Sequence, residues 1–238
     1  QIGRYRKSIL SFSPTFKAEA KQLYDALLKA AGGEISKAQR LIIVPDGALW
    51  ELPFQALINS TSGKYLVEES EISYAPSLGV LSATKSQATA KISRKNLIAF
   101  ANSTRKDSAP LPEAEREASE VGKLYAPSSI FVKTTATESR VKTEAAQAKV
   151  LHLAVHGQID QTNPFESALL FTPETGDDGR LTVTEILRMN LPGSLVVLSS
   201  CDTSNGQVLS GEGLLSLSWA FLASGSQSVV AAQWAVEE

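Results

Sequence analysis

From residue 96 onward, short apolar runs alternate with segments of helical character, and this alternation restricts the possible folds more than any other feature of the sequence. The runs NLIAFA (96–101), SIFVK (129–133), VLHLAV (150–155), SLVVLSS (194–200) and SVVAAQW (228–234) have the length and β-branched content of buried strands. Between them, residues 113–125 and 137–148 and the segments TVTEILRM and GLLSLSWAFLAS have the spacing of helices, while SALLFTPETGDDGRLTV reads as a hairpin-like insertion. Strands and helices in this order predict an α/β fold whose parallel sheet is covered by helices on both faces.

The first ninety residues follow another pattern. FKAEAKQLYDALLKAAGG predicts an amphipathic helix closed by Gly32 and Gly33, and RLIIVPDGALWELPFQAL predicts a strand at 41–44 followed by a turn. Asp46 is read as a residue of that turn. YLVEESEISYAP alternates enough between Tyr65 and Tyr74 to predict a hairpin, and the polar stretch from Ala83 to Lys95 is a candidate linker. The expected organisation is therefore an N-terminal helix-strand-hairpin part over 1–90 and a core over 91–238.

Two of the apolar runs stop at residues able to do chemistry. LHLAVHG (151–157) ends in His156 and Gly157, and LVVLSSCDT (195–203) leads into Cys201, the only cysteine of the chain; just two histidines are present. In an open parallel sheet, the loops beyond the carboxyl ends of the strands form the binding crevice. Alternation along the third run puts Leu151, Leu153 and Val155 on one face and His152, Ala154 and His156 on the other, with His156 at the rim. His152, four residues earlier and deeper in the sheet, is assigned a structural role. A nearby imidazole accepts the proton of a thiol and stabilises the thiolate, so His156 and Cys201 have the makings of a base and a nucleophile. The amides of Gly157 and Cys201 are candidate donors to the oxyanion of an acyl-transfer intermediate. A lone cysteine or a lone histidine beside a strand is more often a packed residue than a catalytic one; it is their joint position that argues for chemistry.

Charge and motif content exclude other classes. A net charge of -2, from 23 basic and 25 acidic side chains, leaves no footprint for nucleic acid or an anionic membrane. No apolar stretch approaches the ~18 residues of a membrane span, and QIGRYRKSILSF lacks the pattern of a secretory signal. One cysteine forms no internal disulfide, which fits a reducing, cytoplasmic setting. A zinc site of Cys and His would be short of ligands, so no metal is expected. There is no phosphate-binding loop, dinucleotide fingerprint or G-x-S-x-G elbow, and no cofactor is expected. Trp50, Trp219 and Trp234 read as core residues.

LHLAVHG and VVLSSCDT resemble the histidine and cysteine motifs of the CHAT domain, a caspase-like peptidase domain often fused to tetratricopeptide repeats and related to caspases, metacaspases, gingipains and separases. LIIVPDGALWELPFQAL (41–57), ISYAPSLGVL (72–81), LPEAEREASEV (111–121) and GEGLLSLSWAFLASGSQSVVAAQWAV (211–236) are similar to further blocks of the same family in the same order. The resemblance covers most of residues 40–238 and implies a caspase-like αβα sandwich with a mostly parallel central sheet. Carried onto this chain it makes His156 the general base, Cys201 the nucleophile, and Gly157 with the Cys201 amide the oxyanion hole of a cysteine endopeptidase acting on a protein or peptide substrate. The alternative is a catalytically silent caspase-like module serving as an interaction platform in a larger repeat protein. The chain stops where family members continue into a further helical segment, and no repeat precedes it, so it reads as a piece of a longer protein, with tetratricopeptide repeats or a regulatory partner elsewhere. Asp202 and Glu212 would line an acidic pocket if the cleaved bond follows a basic side chain. The plainer assignment is preferred, with Asp202 capping the next turn and Glu212 solvated at a helix start.

Overall fold

The computed structural model describes residues 1–79, 81–82, 95–160, 162–199 and 211–232, with the backbone alone for 211–216. The chain divides into two compact units, Gln1–Leu78 and Gly79–Glu238.

In the first unit, α1 (Ile2–Leu10), α2 (Phe16–Leu27) and the single turn α3 (Gly32–Ile35) precede β1 (Arg40–Ile43), and α4 (Leu66–Glu69) precedes β2 (Glu71–Tyr74). Tyr5, Leu23, Tyr24, Leu52, Phe54, Leu57 and Leu66 form its core, and the Tyr5 hydroxyl donates to the Ala56 carbonyl at 2.7 Å. The hairpin expected between Tyr65 and Tyr74 does not form. The Glu68 carboxylate accepts the Tyr65 N–H at 2.7 Å and closes a helical turn, and β2 then pairs in parallel with β1, Leu41 opposite Ile72. The apparent alternation thus spanned two different elements, a turn of helix and a strand of only four residues.

The second unit is the predicted α/β sandwich. Its central strands are β3 (Lys95–Ser103), β4 (Ser128–Lys133), β5 (Ala148–Ala154), β9 (Leu195–Leu198) and β10 (Ser228–Ala231). They lie side by side in the order β10-β9-β5-β3-β4, every pair parallel. A second, three-stranded antiparallel sheet, β6 (His156–Gln158), β7 (Ala168–Leu170) and β8 (Arg180–Thr182), leaves the end of β5. The helices of this unit that bear on the site are α5 (Pro112–Leu124), α6 (Glu138–Glu144), α7 (Val183–Ile186) and α8 (Gly211–Ala223).

Alternation along β3 and β5 sorts the side chains onto the two faces as expected. Ile98, Phe100, Leu151, Leu153 and Val155 pack with Val141 of α6, Ile186 of α7 and Phe221 of α8. On the other face, Leu97, Ala99, Ala101 and Ala154 pack with Ala114 and Ala118 of α5. Small residues at i and i+4 let α5 lie close to the sheet. Proline in its first turn, Glu113 and Glu115 early and Lys123 late suit its ends and its dipole.

Sheet order explains where a site can form. The chain runs from β3 outward to β4 and then crosses back over β3 to β5, so connections leave in opposite directions beyond the carboxyl ends of β3 and β5. Such a switch point opens a crevice at that end of the sheet. His156 follows β5 there, and the loop 104–111 follows β3.

Candidate active site

The strand that carries both histidines breaks between them. β5 ends at Ala154, Val155 turns, and His156 begins β6, opposite Leu170 of β7. His156 is therefore held by the small antiparallel sheet instead of continuing the central one, and its residue is only 8 % exposed. Its Nε2 lies 2.7 Å from the carbonyl oxygen of Ala109. A carbonyl only accepts, so Nε2 carries the hydrogen, and in the neutral ring the free lone pair is then on Nδ1. The nitrogen available as a base is assigned by this contact.

His152 is buried, 3 % exposed, on the face that α5 covers. The Glu117 carboxylate stands 3.2 Å from its Nε2, but off the direction of a good hydrogen bond, and the nitrogen is left without a directed partner. Burial pushes the imidazole below its ordinary pKa, with Glu117 opposing the shift. The other oxygen of Glu117 accepts a hydrogen bond from Ser199 Oγ at 3.0 Å. Helix α5 is thereby tied to the residue that follows β9.

The loop before α5 is the part of the site that sequence reasoning missed. Asn102, in the left-handed region at φ 45°, accepts the Leu111 N–H at 2.6 Å and donates to Glu115, closing the two ends of the loop. Arg105 forms a two-pronged ion pair with Asp107, both bonds 2.8 Å, which holds that carboxyl down to about 2. The remaining Arg105 nitrogen, Nη1, donates into the carbonyls of Phe171 and Gly179 at 3.0 and 3.1 Å. A backbone carbonyl such as that of Ala109 carries no sequence signal of its own.

Gly157 sits on β6 beside His156, paired with Leu169. Cys201 and Asp202 lie outside the described residues, as does the side chain of Glu212 at the start of α8. The chain beyond β9 is followed as far as Ser199, whose amide donates to the Leu153 carbonyl at 3.0 Å. Among the described residues, no group of three or more His, Cys, Asp or Glu is arranged to hold a metal ion, and no helix is long and apolar enough to cross a membrane.

Comparison with known proteins identifies the family. Tetratricopeptide repeat protein 28 of Homo sapiens is 29% identical over 273 residues, and the Mus musculus protein of the same name is 29% identical over 278 residues. Each alignment covers 92% of this chain, and the chain spans only 11% of the length of these curated relatives. The profile of the CHAT domain matches residues 17–238, a stretch that includes the whole central sheet, both sequence motifs and most of the first unit. Because that match covers well over half of its length, the chain belongs to the CHAT domain family, a caspase-like family, and its parallel five-stranded sheet fits that assignment.

Proposed function

We propose that this chain is a cysteine endopeptidase working through His156 and Cys201. The observation that carries the reading is the register of two neighbouring strands. Leu153 of β5 stands opposite Leu198 of β9, and His156 and Cys201 each follow three residues later, 153 to 156 and 198 to 201. Parallel neighbours lie ~4.8 Å apart, and the chain reaches Cys201 two residues after Ser199, a span of no more than ~7.6 Å. The strands that precede His156 and Cys201 are thus neighbours ending at the same edge of the sheet, which supports the pairing.

The chemistry follows from the ring nitrogens. Nε2–H is engaged by the Ala109 carbonyl, so Nδ1 takes the proton of the Cys201 thiol, and the thiolate attacks the scissile carbonyl carbon. The N–H groups of Gly157 and Cys201 receive the oxyanion. Collapse of the tetrahedral intermediate breaks the C–N bond, the leaving amine takes the proton from Nδ1, and an acyl thioester remains on Cys201. Water, giving a proton to the same nitrogen, hydrolyses the thioester and restores the thiol. A protein or peptide substrate and no cofactor are required. Tetratricopeptide repeats, named in the relatives, are the proposed companion elements of the longer protein in which this domain works, and the cytoplasm is its proposed location.

The test is cleavage of a proteome-derived peptide library, with the new termini read by mass spectrometry. The wild-type chain is expected to generate termini that are absent with both Cys201→Ala and His156→Ala; cuts after Lys or Arg would bring Asp202 and Glu212 into the pocket. Cuts that persist in Cys201→Ala, or no cuts at all, would overturn the peptidase reading, and the second outcome is the one a silent interaction platform predicts.

A further inference from the structure

The contact between His156 and the Ala109 carbonyl joins two elements distant in sequence, and both are referenced to one strand. His156 is paired with Leu170 of β7. The same Leu170 offers its carbonyl to Ser103 Oγ at 2.7 Å, and the next carbonyl along, that of Phe171, accepts Arg105 Nη1 at 3.0 Å. Thr104 adds a third tie, its amide donating to Thr172 Oγ1 at 2.8 Å. Three successive residues at the end of β3 are therefore fastened to three successive residues at the end of β7.

Arg105 is the member of this set with the most partners and the least freedom. Its side chain is 9 % exposed, a burial that a guanidinium tolerates only when its donors are satisfied. Two donors go to Asp107, two residues further along the loop, and the third direction goes to the β7–β8 turn. Gly179 makes room for it: a Cβ there would come within 2.7 Å of Arg105 Nη1 and 2.4 Å of the Phe171 oxygen. The loop is thus pinned at Arg105 and Asp107 on one side of Ala109 and at Leu111 on the other, where Asn102 accepts its amide. Between those pins the direction of the Ala109 carbonyl is set.

We propose that Arg105 is a positioning residue of the active site: by strapping the 103–111 loop to the β7–β8 turn it aims the Ala109 carbonyl at His156 Nε2 and so selects the tautomer with its lone pair on Nδ1. The effect on rate rests on the dyad reading above, whereas the effect on the tautomer does not. A guanidinium that merely satisfied turn carbonyls would add stability and leave the imidazole unchanged.

The experiment is 15N NMR of the histidine side chains in the full chain, with signals assigned against His156→Ala, under conditions where the ring is neutral. The wild type is expected to show His156 in the Nε2–H form. Arg105→Ala should give a mixture of the two tautomers, together with a fall on the order of tenfold in the rate at which iodoacetamide alkylates Cys201 below the thiol pKa. Asp107→Ala should shift both readouts the same way by less; its side chain is 62 % exposed, so the question can be answered even if Arg105→Ala does not fold. A His156 spectrum unchanged in the folded variants would overturn the proposal. An alkylation rate already insensitive to His156→Ala in the wild-type background would instead refute the dyad, and the tautomer result would still decide the role of Arg105.

Discussion

At the scale of single residues, the two histidines show how much a four-residue step along the chain can change. Both were expected on the same face of the run as Ala154, and His152 does lie there, buried under α5 next to Glu117. Because burial lowers its pKa in the folded state, the unfolded chain binds a proton on His152 more readily than the native one does. Its contribution to stability is fully present above the ordinary imidazole pKa of about 6.5 and is lost as pH falls toward the lower folded value. Thermal melts should therefore show the wild type losing stability between pH 7 and pH 5, with His152→Leu losing less over the same range. Equal slopes would mean that His152 is not the group responsible. The partner of His156 could not be read from sequence, because every residue has a carbonyl and only the path of the chain decides that the one at Ala109 arrives. Arg105 was equally silent: an arginine in a polar loop has no local pattern that distinguishes a strap from a solvated side chain.

At the scale of elements, apolar periodicity located the five central strands and the major helices of the second unit, since each must bury one face or both. It failed where an element was too short for its pattern to be defined. The helical turn at Leu66–Glu69 and strand β2 together imitate one alternating hairpin arm, and the break at Val155 that sends His156 into a second sheet leaves no mark in LHLAVHG. Glycines in these elements carry different loads, which gives a direct test of the packing. At Gly122 a Cβ would meet the end of the Ile130 side chain at 2.5 Å, and Ile130 is 38 % exposed and free to turn aside. At Gly179 the obstruction is backbone, the Phe171 oxygen at 2.4 Å and the Pro173 nitrogen at 2.9 Å, with φ at +76°. Chemical denaturation should find Gly122→Ala within about 1 kcal/mol of wild type, helix propensity offsetting the crowding, and Gly179→Ala destabilised by more than about 2 kcal/mol. A reversed order would contradict the packing of the β7–β8 turn.

At the scale of the whole molecule, the class of fold was legible and its strand order was not from alternation alone. Strand followed by helix implies a parallel sheet, but whether the chain goes on past β4 or crosses back beside β3 depends on which faces its helices cover, which no single segment encodes. The family resemblance implied a caspase-like sandwich with a mostly parallel sheet but no strand order, and the observed order, β10-β9-β5-β3-β4, puts the strands that precede His156 and Cys201 next to each other. Other long-range ties brace the same end of the unit. Lys142 of α6 holds Glu138, Asp177 of the β7–β8 turn and Glu185 of α7 within 3.0 Å, so the turn that seats Arg105 is itself anchored to two helices. Ser199, after β9, is bonded to Glu117 of α5. These contacts give this end of the unit a framework drawn from both layers of the sandwich, and the central proposal built on it is that His156 and Cys201 act as one unit. The most direct measurement is the rate of Cys201 alkylation by iodoacetamide as a function of pH, in the wild type and in His156→Ala. A paired thiol reacts well below the free-thiol pKa of ~8.5 and loses that reactivity in the variant, which is the predicted result; a slow reaction with the same pH profile in both proteins would contradict it.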